Sequence, residues 1–396
     1  MRQPLFGNDG VPENPLTIPL SLLVIFCSAK LLAEIFERLS LPGIVGEIVA
    51  GVLVGPQVLH WLEPNVVLSA FSDLGLIFLL FRVGLEVKPS ELMRVGGTAL
   101  AVAVSGVIVP FVMGWAIMRA WHAPSTEAIF VGVAMVATSV GITAEVLKRM
   151  GVLHLRASQI ILAAAVFDDI LGLLALSVAS SIARGGVNVP GIALTALLAI
   201  GFTVIVAHWG SRFMKHALPR LHPRLNIPET EFSLAMCVLF ALSALAVWAK
   251  VAAITGAFLA GMAMSDSVEK RVHDLTAGVT EVFLPFFLAG IGMHLDLVTF
   301  QKTDTLLLTA AIVSAAIVSK LIGCGLGAIR LGRKEAWRVG TGMIPRGEVG
   351  MVVAQMGVGY GVIAQPVYGV VVAMSVITTL VAPWILRYSY KGARGR

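Results

Sequence analysis

Charge is scarce in this chain. Only 13% of its 396 residues are Asp, Glu, Lys or Arg, about half the share of an ordinary soluble domain, so the chain cannot clothe a soluble surface of its size. It has three cysteines, Cys27, Cys237 and Cys324, each alone in an apolar run. With no CxxC or Cys/His spacing they carry no signal for a metal, and disulfides are not expected. The net charge of +6 comes with no soluble basic segment, which excludes a nucleic-acid partner. The opening stretch MRQPLFGNDGVPENP holds one Arg and no apolar core, so it lacks the parts of a signal peptide, and the first apolar run is expected to stay as a helix.

Hydrophobic residues make up 57%, which points to an all-α polytopic membrane protein. Apolar runs fall at 16–37, 44–59, 66–86, 96–120, 126–151, 158–183, 190–210, 230–249, 252–264, 279–294, 305–329, 337–361 and 366–386. They predict thirteen transmembrane helices, two of them short. Alternate connections carry 21 basic residues on one side, from Arg38 to the tail, and 5 on the other, namely Arg2, Arg119, Arg184, Lys250 and Lys302. The bias predicts the N-terminus outside and the C-terminus in the cytoplasm. Lys30, Lys320 and Arg346 lie inside helices.

An internal repeat runs through the pattern. A shift of 208 to 210 residues lays Gly46, Ala50 and Gly51 on Gly256, Ala260 and Gly261, Gly84 on Gly292, and Thr138 and Ser139 on Arg346 and Gly347. The shift spans seven helices, an odd number, so the second copy must run inverted. Helices 1–6 and 8–13 are expected to form two inverted six-helix repeats joined by the seventh, an architecture recurrent in secondary transporters.

The stretch AAAVFDDILGLLA places Asp168 and Asp169 in mid-helix. An Asp at a membrane-helix centre costs roughly 2.5 to 3.5 kcal/mol, so the pair needs a cation, a proton or a lysine. Lys320 in IVSKLIGCG lies at a similar depth. So do two weak points in helices, VATSVGITAEV in the fifth, with Thr138 and Ser139, and GTGMIPRGEVGM in the twelfth, with Pro345, Arg346 and Glu348. Irregular backbone at membrane depth survives only against protein or a water-lined cavity, and half-helix ends there offer partial charges to ions. Helices 5 and 12 are therefore expected to be broken and crossed.

Neighbours on a helix point about 100° apart, so Asp168 and Asp169 cannot both face one partner. One can pair with Lys320 while the other faces an ion path. A low-dielectric site disfavours charge on either group type, so such groups can trade a proton for a cation. Blander readings stand beside this one. The carboxylates could form a structural ion pair with Arg346 or Lys320, Lys320 could snorkel to the interface, and Arg346 and Glu348 could hold the broken helices together. Thr138 and Ser139 could simply cap backbone. Asp73, Arg82, Glu86 and Glu145 read as interfacial or tertiary pairs, and the eight histidines sit mostly at helix ends or in loops. A cation channel is disfavoured by the lysine beside the acidic pair. An aspartyl protease is disfavoured because adjacent aspartates cannot share a proton across a scissile bond. No enzymatic activity and no cofactor are expected.

The segments GEIVAGVLVGP at 46–56, GLEVKPSEL at 84–92, TSVGIT at 138–143, FDDILGLL at 167–174, SKLIG at 319–323 and MIPRGEVGMVVAQMG at 343–357 occur in the order found in the monovalent cation:proton antiporter-2 superfamily. The chain most resembles its NapA-type sodium/proton antiporters and, beyond them, Kef-type potassium/proton systems. The resemblance implies Asp169 as the Na⁺-binding and proton-carrying carboxylate and Asp168 as the switchable partner of Lys320. It gives Thr138, Ser139, Arg346 and Glu348 as polar support at the helix crossing. It implies scaffold and dimerisation helices over 1–90 and 230–300, a mobile core over 95–185 and 303–388, a linker helix over 190–229, and a homodimer working by an elevator-like step. The expected activity is electrogenic Na⁺ (Li⁺)/H⁺ exchange in a bacterial inner membrane, with K⁺/H⁺ exchange as the alternative. The chain ends about ten residues past its last helix, so a Kef-type regulatory domain is not expected.

Overall fold

The structure is a computed structural model that describes residues 17–39, 41–184, 189–221, 228–295 and 302–391. Among the described residues there are fifteen α-helices and no strands. The first half holds α1 (Thr17–Arg38), α2 (Gly43–Val54), α3 (Val66–Leu85), α4 (Pro89–Ala120), α5 (Ser125–Ala134), α6 (Val140–Arg149) and α7 (Arg156–Ala183). After α8 (Val189–Leu221) come α9 (Thr230–Trp248), α10 (Ala253–Met264), α11 (Lys270–Met293), α12 (Thr303–Gly327), α13 (Arg333–Gly342), α14 (Glu348–Gly359) and α15 (Gln365–Ser389). Nine of the described helices are long and apolar enough to cross a membrane.

Each of the thirteen apolar runs contains one helix or one interrupted pair, and the interrupted pairs are α5/α6 and α13/α14. Several boundaries differ from the sequence reading. The second helix stops at Val54, where Gly55 turns extended ahead of Pro56. The eleventh helix of the structure starts at Lys270, nine residues before the apolar run. Its first turns carry charge on one side while Val272, Thr276 and Thr280 are buried on the other, and a hydropathy window averages such a stripe away.

Small residues set the closest crossings. A Cβ on Gly51 of α2 would lie 1.8 Å from Ala289 O of α11, and one on Gly292 of α11 would lie 2.0 Å from Ile48 O of α2. Gly261 of α10 and Gly84 of α3 repeat this arrangement, at 2.1 Å from Phe81 O and 2.2 Å from Phe258 O. The backbones touch there, which only glycine allows. The two crossings sit at positions related by the 208 to 210 shift.

Around these crossings α2, α3, α10 and α11 pack together, with α1 against α2 and α9 against α10. A second group forms where α4 lies against α7, α5 and α12, while α13, α14 and α15 close around α12 and α5. The end of α15 is fixed to the start of α7 by Tyr390 Oη and Ser158 Oγ, 2.9 Å apart. Burial pushes the Tyr390 phenol up to about 12, so it stays neutral in that contact.

Candidate ion site

The site forms where two helices fail. In the fifth helical run α5 stops at Ala134, residues 135–139 run non-helically, and α6 begins at Val140. In the twelfth, α13 stops at Gly342 and α14 begins at Glu348, with Pro345 unable to donate in between. The breaks are joined where Ser139 N–H donates to Pro345 O at 2.8 Å. Gly347 lies close against the Ser139 side chain, since an added Cβ there would lie 2.8 Å from Ser139 Cβ.

Arg346 is fully buried and serves the crossing. Its guanidinium donates to Val136 O at 3.2 Å, Ala137 O at 3.1 Å and Ala316 O of α12 at 3.2 Å. Two of these carbonyls follow directly on α5, so the cation faces the negative end of that half-helix. Thr379 Oγ1 donates to Arg346 O at 2.6 Å, Arg346 N–H donates to Thr378 Oγ1 at 3.1 Å, and Thr143 Oγ1 donates to Gly342 O at 2.6 Å. Polar side chains from α6 and α15 thus satisfy backbone that the breaks set free. The hydroxyls of Thr138 and Ser139 are buried and have no hydrogen-bond partner among the described residues. Glu348 opens α14, and its side chain lies outside the described residues.

The two adjacent carboxylates divide. Asp168 is buried and receives Lys320 Nζ of α12 at 3.2 and 3.1 Å on its two oxygens. Both members of this pair are at most 1% exposed by side chain. Asp169 points elsewhere, is only partly buried, and accepts from Thr255 Oγ1 of α10 at 2.5 Å. Leu80 of α3, Val140 of α6 and Phe258 of α10 share its small pocket. Asp169 therefore sits at the seam between the two helix groups, and Asp168 sits inside one of them.

Thr255 escaped the sequence reading. Its only signal there is a hydroxyl at the start of an otherwise apolar short helix. A charge network at one end of the seam escaped as well. Glu47 of α2 is 1% exposed and lies 3.6 Å from both Lys30 of α1 and Arg149 of α6. Lys148 of α6 reaches Glu86, just past the end of α3, at 2.9 Å, and Arg387 of α15 reaches Glu37 of α1 at 3.8 Å. Of the four groups expected to form interfacial or tertiary pairs, Arg82 meets Glu281, Glu86 meets Lys148, and Glu145 meets Arg149. Asp73 has no ion pair among the described residues. It lines a cavity of about 360 Å³ at the other end of the seam, between α3 and α11 on one side and α14 and α15 on the other.

The sodium/hydrogen exchanger transmembrane family model matches residues 21–388. The chain belongs to this family. It is 32% identical to the Na⁺/H⁺-K⁺ antiporter GerN of Bacillus cereus over 384 residues, covering 95% of this chain and 96% of that one. It is 34% identical to the high-affinity Na⁺/H⁺ antiporter NhaS3 of a Synechocystis strain over 423 residues, covering 95% of this chain and 90% of the relative. Its fold matches that of the sodium proton antiporter MjNhaP1 of Methanocaldococcus jannaschii, with a TM-score of 0.74, 18% identity, and 96% and 97% of the two chains covered. This exchanger-family chain is thus a multi-pass membrane protein with an antiporter fold.

Proposed function

We propose that the protein exchanges Na⁺, and Li⁺ with it, for protons across a bacterial inner membrane, with its N-terminus outside. One observation carries the reading: of two adjacent carboxylates, one is neutralised by a buried lysine and the other faces the seam between helix groups. Asp169 binds Na⁺ or a proton in competition. The unpartnered hydroxyls of Thr138 and Ser139 support oxygen ligation of a cation at the crossing. When the cation arrives, Asp168 leaves Lys320 and the lysine gives up its proton. Each Na⁺ then replaces two protons, and the exchange is electrogenic.

The helix groups support an elevator-like step. Helices α1–α3 and α9–α11, with residues 1–90 and 230–300, serve as scaffold and dimer contact, and residues 95–185 and 303–388 move as the core, linked through 190–229. The ion pairs Lys148–Glu86, Arg149–Glu47 and Arg387–Glu37 cross between these groups at the basic end of the seam, beside a cavity of about 270 Å³, and a cavity of about 360 Å³ lies between them at the opposite end. The bridging ion pairs and the larger cavity support a reading in which this state opens to the outside. The contacts repeated at the 208 to 210 shift support inverted repeats as the source of the opposite state. No catalytic activity is proposed, because the diverging carboxylates cannot act as a dyad.

K⁺/H⁺ exchange is the second reading, favoured by K⁺ in the name of the Bacillus cereus relative. The test is proton flux from acid-loaded proteoliposomes after external addition of Na⁺, Li⁺, K⁺ or choline, with Asp169→Asn alongside. Release on Na⁺ and Li⁺ that Asp169→Asn abolishes is the expected result. Release on K⁺ alone selects the second reading, and full activity in the variant sinks the site assignment.

A further inference from the structure

We propose that a pocket between the start of α13 and the end of α15 binds the phosphate headgroup of an anionic membrane lipid. The cavity is about 370 Å³ and is lined by Arg333, Lys334, Trp337, Arg338, Tyr388 and Lys391. One of the four cations is already committed. Arg338 donates to Glu335 Oε1 at 2.5 Å and to Ser389 O at 3.3 Å, and it lies over the Tyr390 ring at 5.1 Å. The other three have no ion pair among the described residues, and Lys391 rests over the Tyr388 ring at 5.3 Å. Three uncompensated cations around one cavity repel each other, and an anion between them relieves the repulsion. The first turn of α13 opens here as well, behind Gly332 and with no side-chain cap. Its free N–H groups favour the same charge.

The surroundings select a lipid over a soluble phosphate. Trp337 is 44% exposed and Tyr388 67% exposed, at the rim of the pocket. Such rings gather at the boundary of membrane and water. Trp384, 43% exposed, precedes Tyr388 by one helical turn and therefore shares its face. Leu326 and Ile329, at the end of α12 and just beyond it, are 59% and 51% exposed. A headgroup held by Arg333, Lys334 and Lys391 would lay its acyl chains along these apolar side chains. The pocket shares its end of the bundle with Arg38, Arg149 and the other residues of the basic side, where anionic headgroups are attracted by clustered Lys and Arg.

The full-length protein, delipidated in detergent, is titrated with phosphatidylglycerol, cardiolipin or phosphatidylcholine, and bound lipid is read by native mass spectrometry. Phosphatidylglycerol and cardiolipin should be retained over phosphatidylcholine, and the triple variant Arg333→Gln/Lys334→Gln/Lys391→Gln should retain them at least about tenfold less, given the contribution of each basic side chain. Lys391→Glu, at an exposed position beyond α15, should act in the same direction if the triple variant is not recovered. Arg38→Gln, on the same side but outside the pocket, should change nothing. Equal retention of all three lipids, or unchanged retention in both pocket variants, overturns the proposal. So does displacement of the lipid by equimolar inorganic phosphate, which would make the pocket a site for the soluble anion.

Discussion

Lys148 Nζ of α6 and Glu86 Oε1 at the end of α3 lie 2.9 Å apart, bridging the helices that carry the crossing to those that face it. Beside them Arg149 reaches the buried Glu47. These charges tie the two helix groups together at one end of the seam, and the cavity beside Asp73 lies between the groups at the other.

Breaking that bridge should favour the state open to the basic end. For Lys148→Gln a loss of about 1 kcal/mol, roughly a fivefold shift in population, is expected for a partly exposed pair. The effect should shrink in high salt. Labelling rates of a cysteine placed at Ile44, at that end of the seam, report it, and a rate equal to that of the parent rules out the bridge as a latch.

The Asp168–Lys320 pair is buried, so removing one partner should be far more costly. Lys320→Gln leaves a carboxylate alone in an apolar setting, a loss of about 3 to 5 kcal/mol unless it takes up a proton. Asp168→Asn combined with Lys320→Gln should recover most of the thermal stability. Lys320→Gln should also make the exchange insensitive to membrane voltage, and a voltage response like that of the parent would disprove electrogenicity through this lysine.

Thr255→Ala removes a donor to Asp169, a hydrogen bond of the charged kind and so about 1.5 to 3 kcal/mol. Thermal stability of the ion-free protein should fall, and the apparent KM for Na⁺ should rise about tenfold if the same hydroxyl also holds Asp169 in place when the ion binds. Thr255→Ser keeps the hydroxyl and should restore the parent KM. If Ala and Ser behave alike, the hydroxyl has no part in ion binding.

Gly51→Ala and Gly261→Ala should each cost about 3 kcal/mol or more, because the new methyl meets backbone that cannot move aside. Gly172→Ala, one turn beyond the carboxylates on α7, has nothing within 4 Å of the added atom. It should gain up to about 1 kcal/mol from helix propensity. Melting of the purified proteins separates the two cases, and a tolerated Gly51→Ala would mean that the α2/α11 crossing is looser than described.

Much of this was written in the chain itself. Hydropathy determines roughly where the membrane helices run, because a backbone in lipid must satisfy its own hydrogen bonds, though not the charged first turns of α11. Pro345 with Gly342 and Gly347, and Thr138, Ser139 and Gly141 in the other run, announce the breaks, and the spacing of Asp168 and Asp169 dictates that they diverge, since a helix turns about 100° per residue. Which carboxylate takes Lys320 and which takes Thr255 is a different matter. It depends on the rotation of α7 against α12 and α10, and rotation is decided by packing that no local pattern records. The same holds for Glu47, Lys30 and Arg149. Lys30 and Glu47 lie on successive helices and Arg149 on the distant α6, and only the folded bundle makes a network of them.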